Sequence, residues 1–120
     1  MGYFLDTYAL IEIAEGNTEY RRYLRSDVVT LKDNLAELYY FLLKKYGADA
    51  ADSFLGIFSK IAAELPLDII PGAMEFKQKH SKTRFSYIDC LGYAFALENK
   101  RLFLTGDRSF KGMENVELER

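Results

Sequence analysis

A single cysteine and a single histidine leave this chain of 120 residues almost without the side chains that build disulfide frameworks, thiolate chemistry or zinc cages. Cys90 has no second cysteine to pair with, and its place in an apolar helical stretch reads as a packed thiol rather than a nucleophile. His80 stands in a Lys-rich segment without a Cys or His companion, which argues against zinc. An excess of positive charge is also missing. At a formal net charge of −2, the chain is not one that coats nucleic acid through bulk electrostatics. No apolar run is long enough to serve as a signal or to span a bilayer, so the sequence predicts a cytoplasmic protein without a membrane partner. There is no repeat, no low-complexity tract and no Gly/Ser/Pro-rich linker, and the whole of residues 1–120 is expected to form one domain.

What is present fits a folded α/β protein, with 49% hydrophobic and 28% charged residues. Tyr3-Phe4-Leu5 reads as a short buried strand feeding a helix that starts at Asp6-Thr7 and ends at Gly16. A short helix from Thr18 to about Arg25 precedes a β-branched strand over 27–31. Two amphipathic helices follow, at 34–46 and from 48 to about 64. Beyond Pro66, residues 67–70 read as a third strand, and Pro71-Gly72 opens a helix to Lys79. A helix from Ser86 to Glu98, a strand over 101–105 and an edge strand over 115–118 complete the pattern. Strands separated by helices imply right-handed crossovers. The expected architecture is therefore a three-layer α/β/α sandwich around a mainly parallel sheet.

Four acids fall where an apolar strand ends or a helix begins: Asp6, Glu37, Asp89 and Asp107. Taken singly, each has a structural explanation. Asp6 can cap a helix, Glu37 follows Asn34 and Asp89 follows Ser86 at capping-box spacing, and Asp107 lies in a Thr-Gly-Asp-Arg-Ser turn. Capping gives no reason for all four to meet at one edge of one sheet, the edge where ligands bind in open α/β folds. Clustered carboxylates raise one another's pKa unless a cation offsets them. With only oxygen donors among them, they suit Mg2+ or Mn2+. Thr7, Thr105 and Ser109 are placed to hold the outer coordination shell. Such a cation polarises a phosphoryl oxygen and activates water for in-line attack. The acid-free segment 77–84, with Lys79, Lys82 and Arg84, leads directly to Asp89, and Arg108 adjoins Asp107. These cations read either as a solvated helix end or as a set that steers phosphates.

On four segments the chain resembles the PIN-domain ribonucleases, a family that includes the toxins of VapBC-type toxin-antitoxin pairs. The segments are Phe-Leu-Asp6-Thr-Tyr-Ala-Leu, Asn-Leu-Ala-Glu37-Leu, Ser-Tyr-Ile-Asp89-Cys-Leu-Gly-Tyr-Ala and Leu-Thr-Gly-Asp107-Arg-Ser-Phe, and their order and spacing carry the match. The resemblance implies a parallel-sheet sandwich, Mg2+ or Mn2+ in an acidic pocket, hydrolysis of RNA phosphodiester bonds, a homodimer and a small antitoxin partner. It equates Asp6, Glu37 and Asp89 with three core acids and Asp107 with a more variable fourth. Many relatives carry a further acid near Ser109, where this chain has serine. The same residues also permit an RNA-processing or structure-specific nuclease, or a binding module whose acids only cap helices. Tyr39, Tyr40, Phe85 and Tyr87 are candidates to stack on unpaired bases.

Overall fold

A computed structural model describes residues 2–119. The chain runs β1 (Tyr3–Leu5), α1 (Thr7–Ala14), α2 (Thr18–Arg21), β2 (Val28–Leu31), α3 (Lys32–Tyr46), α4 (Ala48–Phe58), β3 (Ala62–Ala63), α5 (Ile70–Lys79), α6 (Tyr87–Glu98), β4 (Leu102–Thr105) and β5 (Val116–Leu118). The five strands form one parallel sheet in the order β3-β2-β1-β4-β5. From β1 the chain winds outward on one side through β2 and β3, then returns to the other side of β1 as β4 and β5. That reversal puts a topological switch point between β1 and β4, where crevices open at the carboxyl ends of such sheets.

Strand periodicity divides the core into two halves. Phe4 and its register partner Phe103 face one way, into a cluster with Phe85, Tyr93, Ala96 and Phe110. Leu5 and Leu104 face the other way, among Leu10, Tyr20, Leu38 and Leu42. The expected three-layer sandwich is thus what forms, with α1 to α4 supplying one face and α5 with α6 the other. At Gly92 the helix α6 closes on the sheet so tightly that a Cβ would lie 2.8 Å from Phe4 Cε1. Among the described residues, no helix is long and apolar enough to cross a membrane.

Three local expectations are corrected. Residues 67–70 are not a strand. Leu67–Ile69 form a 3-10 turn running into α5, and the third strand is the pair Ala62–Ala63, bonded to β2 at Thr30 and Leu31. Pro66 brings no N–H to a ladder and Pro71 occupies the first turn of α5, where its fixed φ suits a helix start. The helix expected to reach Glu64 stops at Phe58 and tightens into a 3-10 turn, with the Ser59 hydroxyl donating to the Gly56 carbonyl at 2.8 Å. Finally, α3 begins at Lys32 rather than Asn34. Its N-cap is Leu31, without a side-chain bond, so Glu37 belongs to no capping box.

Candidate active site

Asp6 follows β1 directly and caps α1, the Ala9 amide donating to Oδ1 at 2.8 Å. It is 3% exposed. Burial pushes its carboxyl from an ordinary 3.8 up to about 8; the Thr105 hydroxyl and the Ala9 amide pull the other way, and the charges of Asp89 and Asp107 add to the rise. Asp89 sits in the first turn of α6 in a complete capping box. Its amide donates to Ser86 Oγ at 3.0 Å, and the Ser86 amide donates to Asp89 Oδ2 at 2.9 Å. Burial raises this carboxyl as well, opposed by Ser86, with Asp107 raising it and Lys77 lowering it. Glu37, half-buried on α3, is raised by burial, lowered by the Thr7 hydroxyl that donates to its Oε1, and raised by Asp89. Asp107 lies just beyond β4. Its amide donates to Thr105 Oγ1 at 3.0 Å and its Oδ1 accepts from the Ser109 amide at 2.9 Å.

All four acids therefore occupy the carboxyl edge of the sheet, around the switch point between β1 and β4. Asp89 is the electrostatic hub. Its charge acts on Asp6 and Glu37, and its own carboxyl feels Asp107. Capping and clustering turn out to be compatible, since a helix that starts at a sheet's carboxyl edge delivers its cap there. Among the described residues, no three acid, histidine or cysteine side chains converge into a ready-made cage for an ion. The acids are electrostatic neighbours, each with oxygens already tied to local donors. Their chemistry still fits a hard dication: the donors are carboxylates and hydroxyls only, and a buried carboxyl whose ionised form is disfavoured gains most from an added positive charge.

The surrounding residues sort by their contacts. Thr7 touches Glu37, and the fully buried Thr105 lies between Asp6 and Asp107. Ser109 reaches the site through its backbone amide. Lys79, Lys82, Arg84 and Arg108 are all exposed. Lys77, which sequence alone did not separate from its neighbours, is half-buried. Its Nζ donates to the Phe85 carbonyl at 2.6 Å and lies 4.7 Å from the Tyr87 ring centroid, close enough to lower the Asp89 carboxyl. Of the aromatic candidates, Phe85 is core at 3% exposure and Tyr39 donates to Asp52 at 2.6 Å, whereas Tyr40 and Tyr87 are 63% and 64% exposed. His80 packs against Phe76 at 4.4 Å between centroids. An apolar cavity of about 640 Å³ between α3 and α4, lined by Leu35, Tyr39 and Leu55 among others, contains none of the four acids.

Two features had no signal in the sequence. One is Asn34, read as a helix cap and found instead buried against Thr7. The other is Gly106, between Thr105 and Asp107, where a Cβ would stand 2.2 Å from the Tyr20 hydroxyl oxygen and 2.2 Å from Tyr8 Cε1. Tyr20 is fully buried, so it cannot yield by swinging into solvent. Gly106→Ala is expected to destabilise the protein by about 1–3 kcal/mol through overpacking, read in urea unfolding; a stability equal to wild type would show that the loop yields freely.

The family model for the PIN domain matches residues 3–116. No curated protein matches the chain in sequence. Among solved structures, the chain is similar to a VapC toxin of Mycobacterium tuberculosis that cleaves the sarcin-ricin loop, with a TM-score of 0.76 and 22% identity over 96% of this chain and 98% of that one. It is similar to a VapBC2 structure from Rickettsia felis, bound to a DNA fragment from their promoter, with a TM-score of 0.78 and 20% identity over 99% and 98% of the two chains. A toxin-antitoxin complex from Klebsiella pneumoniae gives a TM-score of 0.76 at 18% identity, over 96% and 95%. At these identities the likeness shows a shared fold.

Proposed function

Because the chain belongs to the PIN-domain family, we propose that it is a Mg2+- or Mn2+-dependent endoribonuclease, acting as the toxin of a toxin-antitoxin pair. The observation that carries this reading is the mutual field of the four acids, centred on Asp89 and meeting at the switch point of the sheet. Asp6, Glu37, Asp89 and Asp107 are the residues that would hold the cation. When bound, a hard dication supplies a Lewis acid for a phosphoryl oxygen and lowers the pKa of water. The protein's share is placement. Ser86 and Ala9 fix the carboxylates of Asp89 and Asp6 through capping bonds, Thr7 fixes Glu37, and the Ser109 amide fixes Asp107. Burial around Asp6 keeps the local dielectric low, which strengthens each charge interaction there.

The exposed cations near the start of α6 supply an approach path for RNA, with Tyr87 and Lys77 beside Asp89 offering a ring and a charge to an unpaired nucleotide. Neutralising Lys79, Lys82 and Arg84 together should weaken RNA binding and reduce the slope of log affinity against log salt by about 2, at roughly 0.7 per phosphate contact on single strands. Equilibrium binding across a salt series checks this, and an unchanged slope would return the segment to a solvated helix end. The toxin role and the antitoxin partner draw support from the company the fold keeps, a toxin structure and toxin-antitoxin complexes, while the homodimer follows from the family resemblance alone. The activity is tested by incubating the purified protein with a mixed RNA pool in Mg2+, Mn2+ or chelator and mapping the cut ends. Cleavage at defined sites with either metal and none in chelator is expected; cleavage indifferent to chelator, or none under any condition, would overturn the reading.

A further inference from the structure

Asn34 lies in the first turn of α3 and is 1% exposed. Its Nδ2 donates to Thr7 Oγ1 at 3.1 Å, and the Thr7 hydroxyl donates in turn to Glu37 Oε1. Valence fixes the direction of this chain. Thr7 has one hydroxyl hydrogen, and an ionised Glu37 only accepts, so the hydrogen between Asn34 and Thr7 must belong to the amide. The other half of the carboxamide, Asn34 Oδ1, is buried without a hydrogen-bond partner.

An asparagine at this position is poorly explained by folding. A leucine has the same number of side-chain heavy atoms branched at the same carbon and would bury no unpaired oxygen. Asparagine is a mediocre residue inside helices, and α3 draws no cap from it, since its N-cap is Leu31. Residues that break local rules in this way concentrate at functional sites. What the amide does accomplish is specific. It commits the Thr7 hydroxyl to Glu37, tying α3 to the residue next to Asp6, and that hydroxyl, by holding one carboxylate oxygen, fixes where the other points.

We propose that Asn34 is a positioning residue of the acidic site, acting through Thr7 to hold Glu37 for a bound cation. The inference rests on the reading of the acids as a cation site. Asn34→Leu should melt in chelator no lower than wild type, because an unpaired buried oxygen has gone. It should nonetheless bind Mn2+ about tenfold or more weakly by titration calorimetry, the usual loss when an outer partner of a metal ligand is removed. In a Thr7→Val background the same substitution should cost less than about twofold further, since the route through Thr7 is already cut. Affinity within about twofold of wild type in Asn34→Leu, or the full loss recurring in the Thr7→Val background, would overturn the proposal. If Asn34→Leu does not fold, Asn34→Ala takes its place with the same two criteria. If the wild type itself takes up no Mn2+, the cation reading fails separately, and the linkage is decided in chelator by NMR. The Asn34 side-chain amide protons should then shift in both Thr7→Val and Glu37→Gln. Protons unmoved by Glu37→Gln would show that Asn34 does not position that carboxylate.

Discussion

Asp6→Asn is expected to raise the melting temperature of the metal-free protein, and the gain should grow as pH rises from about 4 to about 8. Asp6 is buried, and its folded carboxyl is pushed from 3.8 up to about 8. Between those values the native state holds a proton that the unfolded state releases. Stability from this group is thus fully present below about pH 4, falls as pH rises through about 8, and is level above. A shift of this size corresponds to a change on the order of 5 kcal/mol across the window. Asparagine keeps an oxygen for the Ala9 amide, so the cap survives, but it cannot ionise. Melts of both proteins in chelator between pH 5 and 9 check the expectation through their difference, which cancels groups common to the two. A difference that does not grow with pH across this range, or a variant that melts below wild type at pH 8, would show that Asp6 is an ordinary cap.

The second large effect is on activity. Asp89→Asn should reduce metal-dependent RNA cleavage by at least about 100-fold, because losses of 10- to 100-fold already follow removal of groups that only support a metal ligand. Asp89 is chosen because its charge acts on Asp6 and Glu37 and its carboxyl feels Asp107, so no other single neutralisation touches all of the remaining acids. The fold should survive. The asparagine carbonyl can still accept from the Ser86 amide, and its own amide still donates to Ser86 Oγ, so the capping box that starts α6 stays closed. Cleavage rates at saturating RNA, with circular dichroism melts beside them, separate loss of chemistry from loss of structure. A variant that cuts at the wild-type rate would remove Asp89 from the site.

The legible and illegible parts of this molecule divide by range of interaction. Asp6 and Asp89 could be read both as caps and as site residues because both roles are written locally, in the strand before the one and the Ser86 spacing before the other. The sandwich followed from apolar runs alternating with helical periodicity. The third strand was misplaced because Leu67 to Ile70 looks more β-like than Ala62-Ala63, whose pairing comes from lying beside Thr30 and Leu31 and not from any preference of alanine. Asn34 carries the signature of a cap, and only the approach of Thr7 from β1's far end reveals a different use. Phe85 and Tyr87 are two residues apart and equally aromatic, yet one packs on Phe110 at 4.4 Å and the other stands in solvent beside Lys77. Segment patterns named the acids and the local caps that fix Asp6, Asp89 and Asp107, whereas the hold of Thr7 on Glu37 is tertiary.

If these four acids form a cation site, Mn2+ should change the thermal stability of the wild-type protein at pH 8. A ligand that binds only the native state stabilises it by RT ln(1 + [L]/Kd), about 2.7 kcal/mol at ~100 times Kd. For a chain of this length such a gain moves the melting temperature by several degrees. That rise is expected with Mn2+, with a smaller one in Asp89→Asn and reversal by chelator. A wild-type melt unmoved by Mn2+ at concentrations that support RNA cleavage would contradict a cation site and leave the acids as helix caps.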